Sequence, residues 1–328
     1  PIEGFVPKIL VTYDSLVKVL EYLDLHGYLD RFDIIVDEFT AIFTDVKMKG
    51  TTELNLLGWL MGLPNRVHLL SATPISEAYL NELHEFDDVS YVTLQWHPSR
   101  INKVKVVRNP MKKSAQAEIE DSITAFRRDG YFKSTMIDGQ EVKSTEAVFF
   151  VNKVSTIVNV AKKMGLTEKD TLVICSEGDG KNKEKLDRVG LKIGHVPSFA
   201  EYKVKNRTFT FVTRASFEGT DFYSDCSTTY VFADANSSCL ALDLSIDLVQ
   251  IAGRCRTATN PFRHEIYYYF RSNDKVTIDE AKKKIAERDE RTQHLLQQYS
   301  GMTDPTALEK CVDSQTLRRF EKDYLDVQ

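Results

Sequence analysis

Residues 32–40 run Phe-Asp-Ile-Ile-Val-Asp-Glu-Phe-Thr, an apolar stretch that ends in two consecutive carboxylates, Asp37 and Glu38. A short apolar stretch of this kind predicts a buried strand, and parallel sheets bind their ligands at the carboxyl ends of such strands. One acid can hold a hydrated Mg²⁺ there while its neighbour orients a water molecule toward a phosphate. A polar loop or a helix cap is the ordinary alternative for the same pair.

A second strand-like stretch, residues 67–70, is followed by Ser71, Ala72 and Thr73. The carboxyl ends of neighbouring parallel strands share one edge of a sheet. We therefore expect Ser71 and Thr73 to lie beside Asp37 and Glu38 and to hydrogen-bond the two acids.

Strand-like and helical stretches alternate along most of the chain, which predicts an α/β fold with helices covering parallel sheets. The first hundred residues predict strands at 8–12, 33–36, 67–70 and 90–94 and helices at 14–25 and 76–86, the first helix being capped by Asp14 or Ser15. In the rest of the chain, a second alternation predicts strands at 104–107, 147–151, 171–175, 208–213, 228–233 and 265–270. It predicts helices at 113–128, 154–164, 181–189 and 242–252. A hairpin is predicted at 131–142, with its turn at Asp138-Gly139. The predicted domains are 1–100, 101–273 and a charged helical extension at 274–328.

Composition narrows the class of protein. The chain has 43 Lys+Arg against 48 Asp+Glu, a formal charge of −5, and 42% hydrophobic residues, which is typical of a globular protein. Its apolar runs are far shorter than the roughly 18 residues of a membrane span, so no membrane is expected. The 5 cysteines are odd in number and show no C-x-x-C spacing, which predicts reduced, mostly buried thiols and a cytoplasmic location.

Four further stretches fall in an order that is informative as a set. Residues 11–16 run Val-Thr-Tyr-Asp-Ser-Leu, an apolar strand ends at Asn152, residues 213–221 run Thr-Arg-Ala-Ser-Phe-Glu-Gly-Thr-Asp, and residues 250–256 run Gln-Ile-Ala-Gly-Arg-Cys-Arg. Together with the Asp37-Glu38 and Ser71-Ala72-Thr73 stretches, they resemble motifs Ib, II, III, IV, V and VI of the superfamily 2 helicases. The resemblance covers roughly residues 8–270.

This resemblance implies two RecA-like parallel-sheet domains in tandem, the first one incomplete, and the cofactors ATP and Mg²⁺ at a cleft between the domains. It assigns Mg²⁺ coordination to Asp37, polarisation of the attacking water to Glu38, and stabilisation of the γ-phosphate to Arg254 or Arg256. Gln250 would contact the nucleotide or the water. The other cofactor-side residues would be Ser71, Thr73, Gly219 and Asp221.

The same resemblance implies a grip on the phosphate backbone of a nucleic acid, with DNA favoured over RNA. The residues it points to are Thr12, Tyr13, Ser15, Asn152, Thr213 and Arg214. Ordinary structural roles exist for several of them: Tyr13 can pack on the first helix, Asn152 can cap helix 154–164, Thr213 can end a strand, and the arginines at 254 and 256 can be surface charges.

Two departures from the family pattern matter. Arg256 follows Arg254 by two positions, whereas many relatives space the two arginines by three. In addition, no G-x-x-x-x-G-K-[ST] phosphate loop occurs in the 328 residues. We therefore expect a fragment whose phosphate loop lies in an upstream segment, and we expect the chain alone to be inactive.

The sequence thus predicts an ATP-dependent nucleic-acid helicase or translocase, with the 274–328 extension packing on the second domain or on a protein partner. A non-catalytic helicase-like scaffold that binds nucleic acid or a protein is the alternative from another class. A small-molecule α/β enzyme is a third, but the chain has neither a nucleophile elbow nor a dinucleotide fingerprint.

Overall fold

The computed structural model describes residues 8–40, 66–73, 89–95, 103–178, 180–195, 207–217, 220–237 and 246–272, together with residues 56, 59, 60, 62, 63, 97, 239–242, 244, 277, 279, 280, 283, 286 and 287. The chain divides into two compact units. Unit 1 comprises Pro1–Leu94 and Ile278–Val327, and unit 2 comprises Gln95–Thr277 and Gln328. The predicted helix at 76–86 and nearly all of the 274–328 extension lie outside the described residues. The two predicted domain boundaries stay a prediction.

In unit 1, a helix packs on a small parallel sheet. Helix α1 spans Tyr13–Leu25, a short 3-10 turn spans Leu29–Arg31, and strands β1 (Ile34–Val36) and β2 (Val67–Leu69) pair in parallel. The apolar face of α1 buries Leu20 and Leu23 against the inward side chains of β1. These elements confirm the predicted helix at 14–25 and the predicted strands at 33–36 and 67–70.

The start of α1 differs from the prediction. The helix begins at Tyr13, with Thr12 in extended conformation at the N-cap position, because the Ser15 N–H already bonds the Thr12 carbonyl at 3.0 Å. The cap is therefore neither Asp14 nor Ser15.

The strands predicted at 8–12 and 90–94 were wrong. Both segments have no regular secondary structure, and both expose apolar side chains, with Leu10 99% and Leu94 90% exposed. A strand-like stretch of sequence forms a strand only where its backbone can hydrogen-bond to a neighbouring strand. In the described part of unit 1, β1 and β2 pair with each other and with no other strand.

Unit 2 contains a six-stranded, entirely parallel sheet in the order β3-β10-β9-β6-β8-β7. Its strands are β3 (Lys105–Pro110), β6 (Glu146–Phe150), β7 (Thr171–Ile174), β8 (Phe209–Val212), β9 (Ser227–Asp234) and β10 (Glu265–Arg271). The helices are α2 (Ala115–Asp129), α3 (Val154–Met164), α4 (Lys181–Asp187) and α5 (Asp247–Ala252), and β4 (Ser134–Ile137) and β5 (Gln140–Lys143) form a hairpin. The predicted α/β class with parallel sheets in two tandem units is confirmed.

The central strands β6, β8 and β9 of the unit 2 sheet are buried on both faces. Every residue of β6 is buried, which explains why this strand is a continuous apolar run. On one face Phe149 and Phe211 stack and pack with α2 and α3, and on the other Phe150 packs with Val231 and Ile251. Burial on both faces makes β6 a rigid base for the residues that follow it.

Several local signals determine where the elements of unit 2 end. Ser114 caps α2 by accepting the Ala117 N–H, and Gly130, at φ 78°, closes it. The hairpin turns at Asp138 and Gly139 as predicted, both with positive φ. Helix α5 begins at Asp247 rather than at residue 242, and Leu240 belongs to a turn in which it bonds Ser237 and Asp234.

In the described residues, no helix is long and apolar enough to cross a bilayer. Of the four cysteines described there, only Cys175 is buried, while Cys226 and Cys255 are partly exposed and Cys239 is exposed. For these four cysteines the prediction of mostly buried thiols was therefore wrong.

Candidate functional site

The acidic pair of unit 1 lies directly after β1. Asp37 is exposed, and its Oδ1 accepts the Glu38 N–H at 3.1 Å. Glu38 has φ 50°, a left-handed conformation that costs a residue with a side chain about 1–2 kcal/mol. Such conformations cluster at functional sites, where the surrounding structure maintains them.

The ends of β1 and β2 are joined through Thr40, and the predicted hydrogen bonds from Ser71 and Thr73 to the two acids stay a prediction. The Phe39 N–H bonds the Leu70 carbonyl at 3.0 Å, and Ser71 Oγ lies 3.3 Å from Thr40 Oγ1. Ser71 Oγ also accepts the Thr73 N–H at 3.1 Å, and Thr73 is buried. These contacts connect the second strand end to the segment that carries the acids.

The first residues of α1 reach the same place. The Tyr13 hydroxyl donates to the backbone carbonyl of Asp37, so this side chain ties the helix start to the acidic segment. Thr12 and Ser15 are exposed on either side of it. Of the three residues predicted in this stretch, Tyr13 therefore makes a structural contact, and the other two have side chains open to solvent.

The segment of Asp37 and Glu38 can bind a metal ion whose remaining ligands are oxygens of water and substrate. Among the described residues, no group of three or more His, Cys, Asp and Glu side chains is arranged to hold a metal ion. Mg²⁺ in nucleotide sites needs only one or two carboxylates besides phosphate and water oxygens. The exposed Asp37 carboxylate fits that requirement.

In unit 2, the carboxyl ends of β6 and β8 bring predicted residues together. Because these strands are neighbours in the sheet, Asn152 and Arg214 meet, and Asn152 Oδ1 accepts the Arg214 N–H at 3.0 Å. Asn152 thus does not cap α3, whose N-cap residue is Lys153. The Thr213 side chain is buried, and its N–H bonds the Ile174 carbonyl at 3.0 Å.

The Arg214 side chain has a partner that the sequence analysis missed. Its Nε lies 3.4 Å from Oδ1 of Asp247, the buried first residue of α5. Asp247 lies three residues before Gln250, so helical spacing alone places both on one face. The three-residue spacing from Gln250 could therefore have identified Asp247 as a candidate site residue from the sequence.

A second set of predicted residues converges on Asp221. Arg256 Nε donates to Asp221 Oδ1 at 2.9 Å, and Arg254 Nη1 lies 3.5 Å from the same oxygen. The Phe222 N–H bonds the Arg254 carbonyl at 2.8 Å, and the Arg256 N–H bonds the Phe222 carbonyl at 2.9 Å, so the two segments pair like strands. Alternate side chains of an extended segment share one side, which is why a spacing of two brings both arginines to one carboxylate.

The two arginines have different surroundings. Arg254 is only 9% exposed, and it donates from Nε to the Gln250 carbonyl at 3.1 Å and from Nη2 to Gln250 Oε1. The Arg256 side chain is 50% exposed. Gln250 and Arg254 are therefore internal and bound to each other, while Arg256 can reach a ligand. Gly219 lies outside the described residues.

No family model matches the chain, and no curated protein sequence matches it significantly. The solved structures that it resembles include T. fusca Cas3, which is 15% identical with a TM-score of 0.41 over 89% of this chain and 38% of Cas3. S. cerevisiae Dbp5 bound to Gle1 and IP6 is 12% identical, with a TM-score of 0.43 over 96% of this chain and 71% of that one. A CRISPR RNA-guided surveillance complex in a pre-nicking state is 14% identical, with a TM-score of 0.40 over 92% and 40% of the two chains. The chain thus spans 38% of the length of Cas3.

Proposed function

We propose that this chain belongs to an ATP-dependent nucleic-acid helicase or translocase of superfamily 2. The observation that carries the proposal is the convergence of Asp221, Arg254 and Arg256, which come from two stretches predicted separately as motifs V and VI. The contact of Asn152 with Arg214, from the stretches predicted as motifs IV and V, supports it further.

In this proposal, ATP hydrolysis depends on acids of unit 1 and an arginine of unit 2. Asp37 coordinates Mg²⁺ and Glu38 polarises the attacking water, while an arginine compensates the charge that develops on the γ-phosphate. Arg256 is the better candidate for that arginine, because a guanidinium that must reach a phosphate has to be exposed. Gln250 and Arg254 then shape the segment that presents Arg256.

Nucleic-acid binding in this proposal uses the phosphate backbone. The candidate contacts are the exposed hydroxyls of Thr12 and Ser15, the Asn152 amide and the Arg214 guanidinium, which are groups that bind phosphates without reading sequence. Thr213 contributes through its backbone, since its side chain is buried. We propose DNA rather than RNA as the bound nucleic acid.

The phosphate-binding segment is proposed to come from polypeptide outside these 328 residues. The sequence has no G-x-x-x-x-G-K-[ST] stretch. Unit 1 exposes the large apolar side chains of Leu10, Ile35, Leu70 and Leu94, a surface that another α/β segment could cover. The 274–328 extension is proposed to bind a protein partner.

The test is Glu38→Gln in a protein that contains the phosphate loop, with ATP turnover measured with and without single-stranded DNA. Losing the group that polarises the water should reduce turnover by about 10²-fold to 10⁴-fold, while DNA affinity stays within about 2-fold. Glu21→Gln, on the exposed side of α1, is the matched control and should leave turnover unchanged.

Normal turnover by Glu38→Gln would remove the catalytic assignment. DNA binding by the wild-type protein without any turnover would favour the non-catalytic scaffold instead.

A further inference from the structure

We propose that Asp247 is a positioning residue that orients Arg214 for a phosphate of the nucleic-acid backbone. The inference rests on the proposed function, which makes Arg214 a nucleic-acid contact. Asp247 is 3% exposed, and its Oδ1 lies 3.4 Å from Arg214 Nε. Nothing in the motif resemblance assigns a role to Asp247.

The backbone of Arg214 is fixed at the carboxyl edge of the sheet. Its N–H is held by Asn152 Oδ1 at 3.0 Å, and the preceding residue, Thr213, is bonded to the end of β7. The remaining freedom lies in the long side chain, which has many rotamers. An ion pair at Nε removes much of that freedom, because it fixes the plane of the guanidinium.

The Arg214 side chain keeps an exposed part. It is 20% exposed, although its Nη2 is buried and has no acceptor among the described residues. A phosphate oxygen can therefore reach the exposed part of the side chain and not Nη2. Phosphate oxygens suit the fork of donors of an oriented arginine.

Asp247 also links the two sets of residues in unit 2. It lies on the same short helix as Gln250, and both are buried. The Gln250 oxygens hold Arg254, which contacts Asp221. Helix α5 therefore joins Arg214 at the strand ends to the arginine segment.

A carboxylate beside a phosphate site would ordinarily weaken binding through repulsion. Asp247→Asn removes that charge, so a purely electrostatic role predicts tighter binding of nucleic acid. A positioning role predicts weaker binding of nucleic acid by Asp247→Asn, because the guanidinium of Arg214 loses its fixed orientation. This difference in sign separates the two explanations.

The experiment measures binding of a fluorescein-labelled single-stranded oligothymidylate to the 328-residue chain by fluorescence anisotropy at several salt concentrations. Arg214→Ala should weaken binding about 5-fold to 10-fold and reduce the salt slope by about 1. Asp247→Asn should weaken it about 3-fold to 10-fold. The double variant should bind no more weakly than Arg214→Ala, since the two residues act through one contact. Asp187→Asn, an exposed acid at the end of α4, is the matched control and should not weaken binding.

Arg214→Lys keeps the inference testable if Asp247→Asn fails to fold. A lysine retains the charge but not the planar fork, so positioning predicts a loss close to that of Arg214→Ala, and retained affinity would overturn the inference. Unchanged or tighter binding by a folded Asp247→Asn, with weaker binding by Arg214→Ala, would overturn this inference alone. A wild-type chain that does not bind the oligonucleotide would contradict the nucleic-acid part of the proposed function.

Discussion

The side-chain amide of Asn260 donates from Nδ2 toward Cys255 Sγ at 3.3 Å and to the carbonyl of Ser227 at 2.9 Å. Asn260 is fully buried, and its Oδ1 accepts the Phe262 N–H at 2.9 Å. These contacts hold Cys255 toward the interior of unit 2. Because the segment is extended, the residues on either side of Cys255 project the other way, toward Asp221.

Replacing Asn260 should destabilise unit 2. Asn260→Ala leaves the Phe262 N–H and the Ser227 carbonyl without partners in the interior, at a cost of about 1–3 kcal/mol of unfolding free energy. Urea unfolding monitored by circular dichroism measures this loss of unfolding free energy. Asn236→Ala, an exposed asparagine in the turn after β9, should change the stability by less than about 0.5 kcal/mol. Equal stability of the two variants would show that the Asn260 contacts do not support the arginine segment.

The two arginines should give different phenotypes. Arg256→Ala should reduce ATP turnover on the order of 10³-fold and leave the unfolding free energy nearly unchanged, because this side chain is half exposed. Arg254→Ala should lower the stability by about 1–3 kcal/mol, since it removes a buried side chain and its hydrogen bonds to Gln250. Turnover in a complete motor and urea unfolding of the chain measure the two effects. Full turnover by Arg256→Ala would move the charge-compensating role to Arg254.

The left-handed conformation of Glu38 makes a prediction about stability. Glycine adopts φ 50° without steric cost, so Glu38→Gly should raise the unfolding free energy of unit 1 by up to about 1 kcal/mol. Glu38→Gln keeps the strain and should leave stability unchanged. Urea unfolding of both variants tests this, and a Glu38→Gly variant less stable than Glu38→Gln would contradict it.

The contact between α2 and α3 should make stability depend on pH. Burial alone would raise the pKa of the Glu120 carboxyl, but hydrogen bonds from Lys163, at 2.6 Å, and Gln116 outweigh it, and this pKa lies below its ordinary value of 4.5. The contribution of the pair is therefore present above pH 4.5 and is lost as the pH falls through the lowered pKa. Lys163→Met should cost about 1 kcal/mol or less at neutral pH, because Lys163 is 66% exposed and Glu120 keeps its hydrogen bond from Gln116. Its difference from wild type should shrink in acid.

The matched control for this contact is Lys162→Met on the exposed side of α3. Urea unfolding at neutral pH and near pH 3 compares the variants, because the pKa of Glu120 lies below 4.5. A Lys163→Met deficit that is independent of pH would show that the lysine acts through packing of its aliphatic stem rather than through the Glu120 carboxylate.

The 328-residue chain by itself should hydrolyse ATP negligibly, because it has no phosphate loop to bind the β- and γ-phosphates. A coupled phosphate-release assay measures turnover with and without single-stranded DNA. Robust turnover that depends on Glu38 would mean that another part of the chain supplies the phosphate contacts.

Much of unit 2 could be predicted from local sequence. Helix α3 has the predicted bounds, the hairpin turns at Asp138 and Gly139 as expected, and the buried strands were recognised as apolar runs. These elements are determined by short-range patterns, since burial on two faces requires continuous apolar residues and a tight hairpin requires positive φ. The strands predicted at 8–12 and 90–94 failed because strand formation also needs a neighbour, which a local pattern does not supply.

The sequence alone determined the α/β class, the order of the elements and which residues follow the carboxyl ends of the strands, because these depend on periodicity and on turn residues near each position. The tertiary structure decided which of those residues meet. Strand order placed Asn152 against Arg214, and pairing of the Phe222 and Cys255 segments brought Arg254 and Arg256 to Asp221. Only folding could also separate the buried Arg254 from the exposed Arg256, since exposure depends on packing between segments that are distant in sequence.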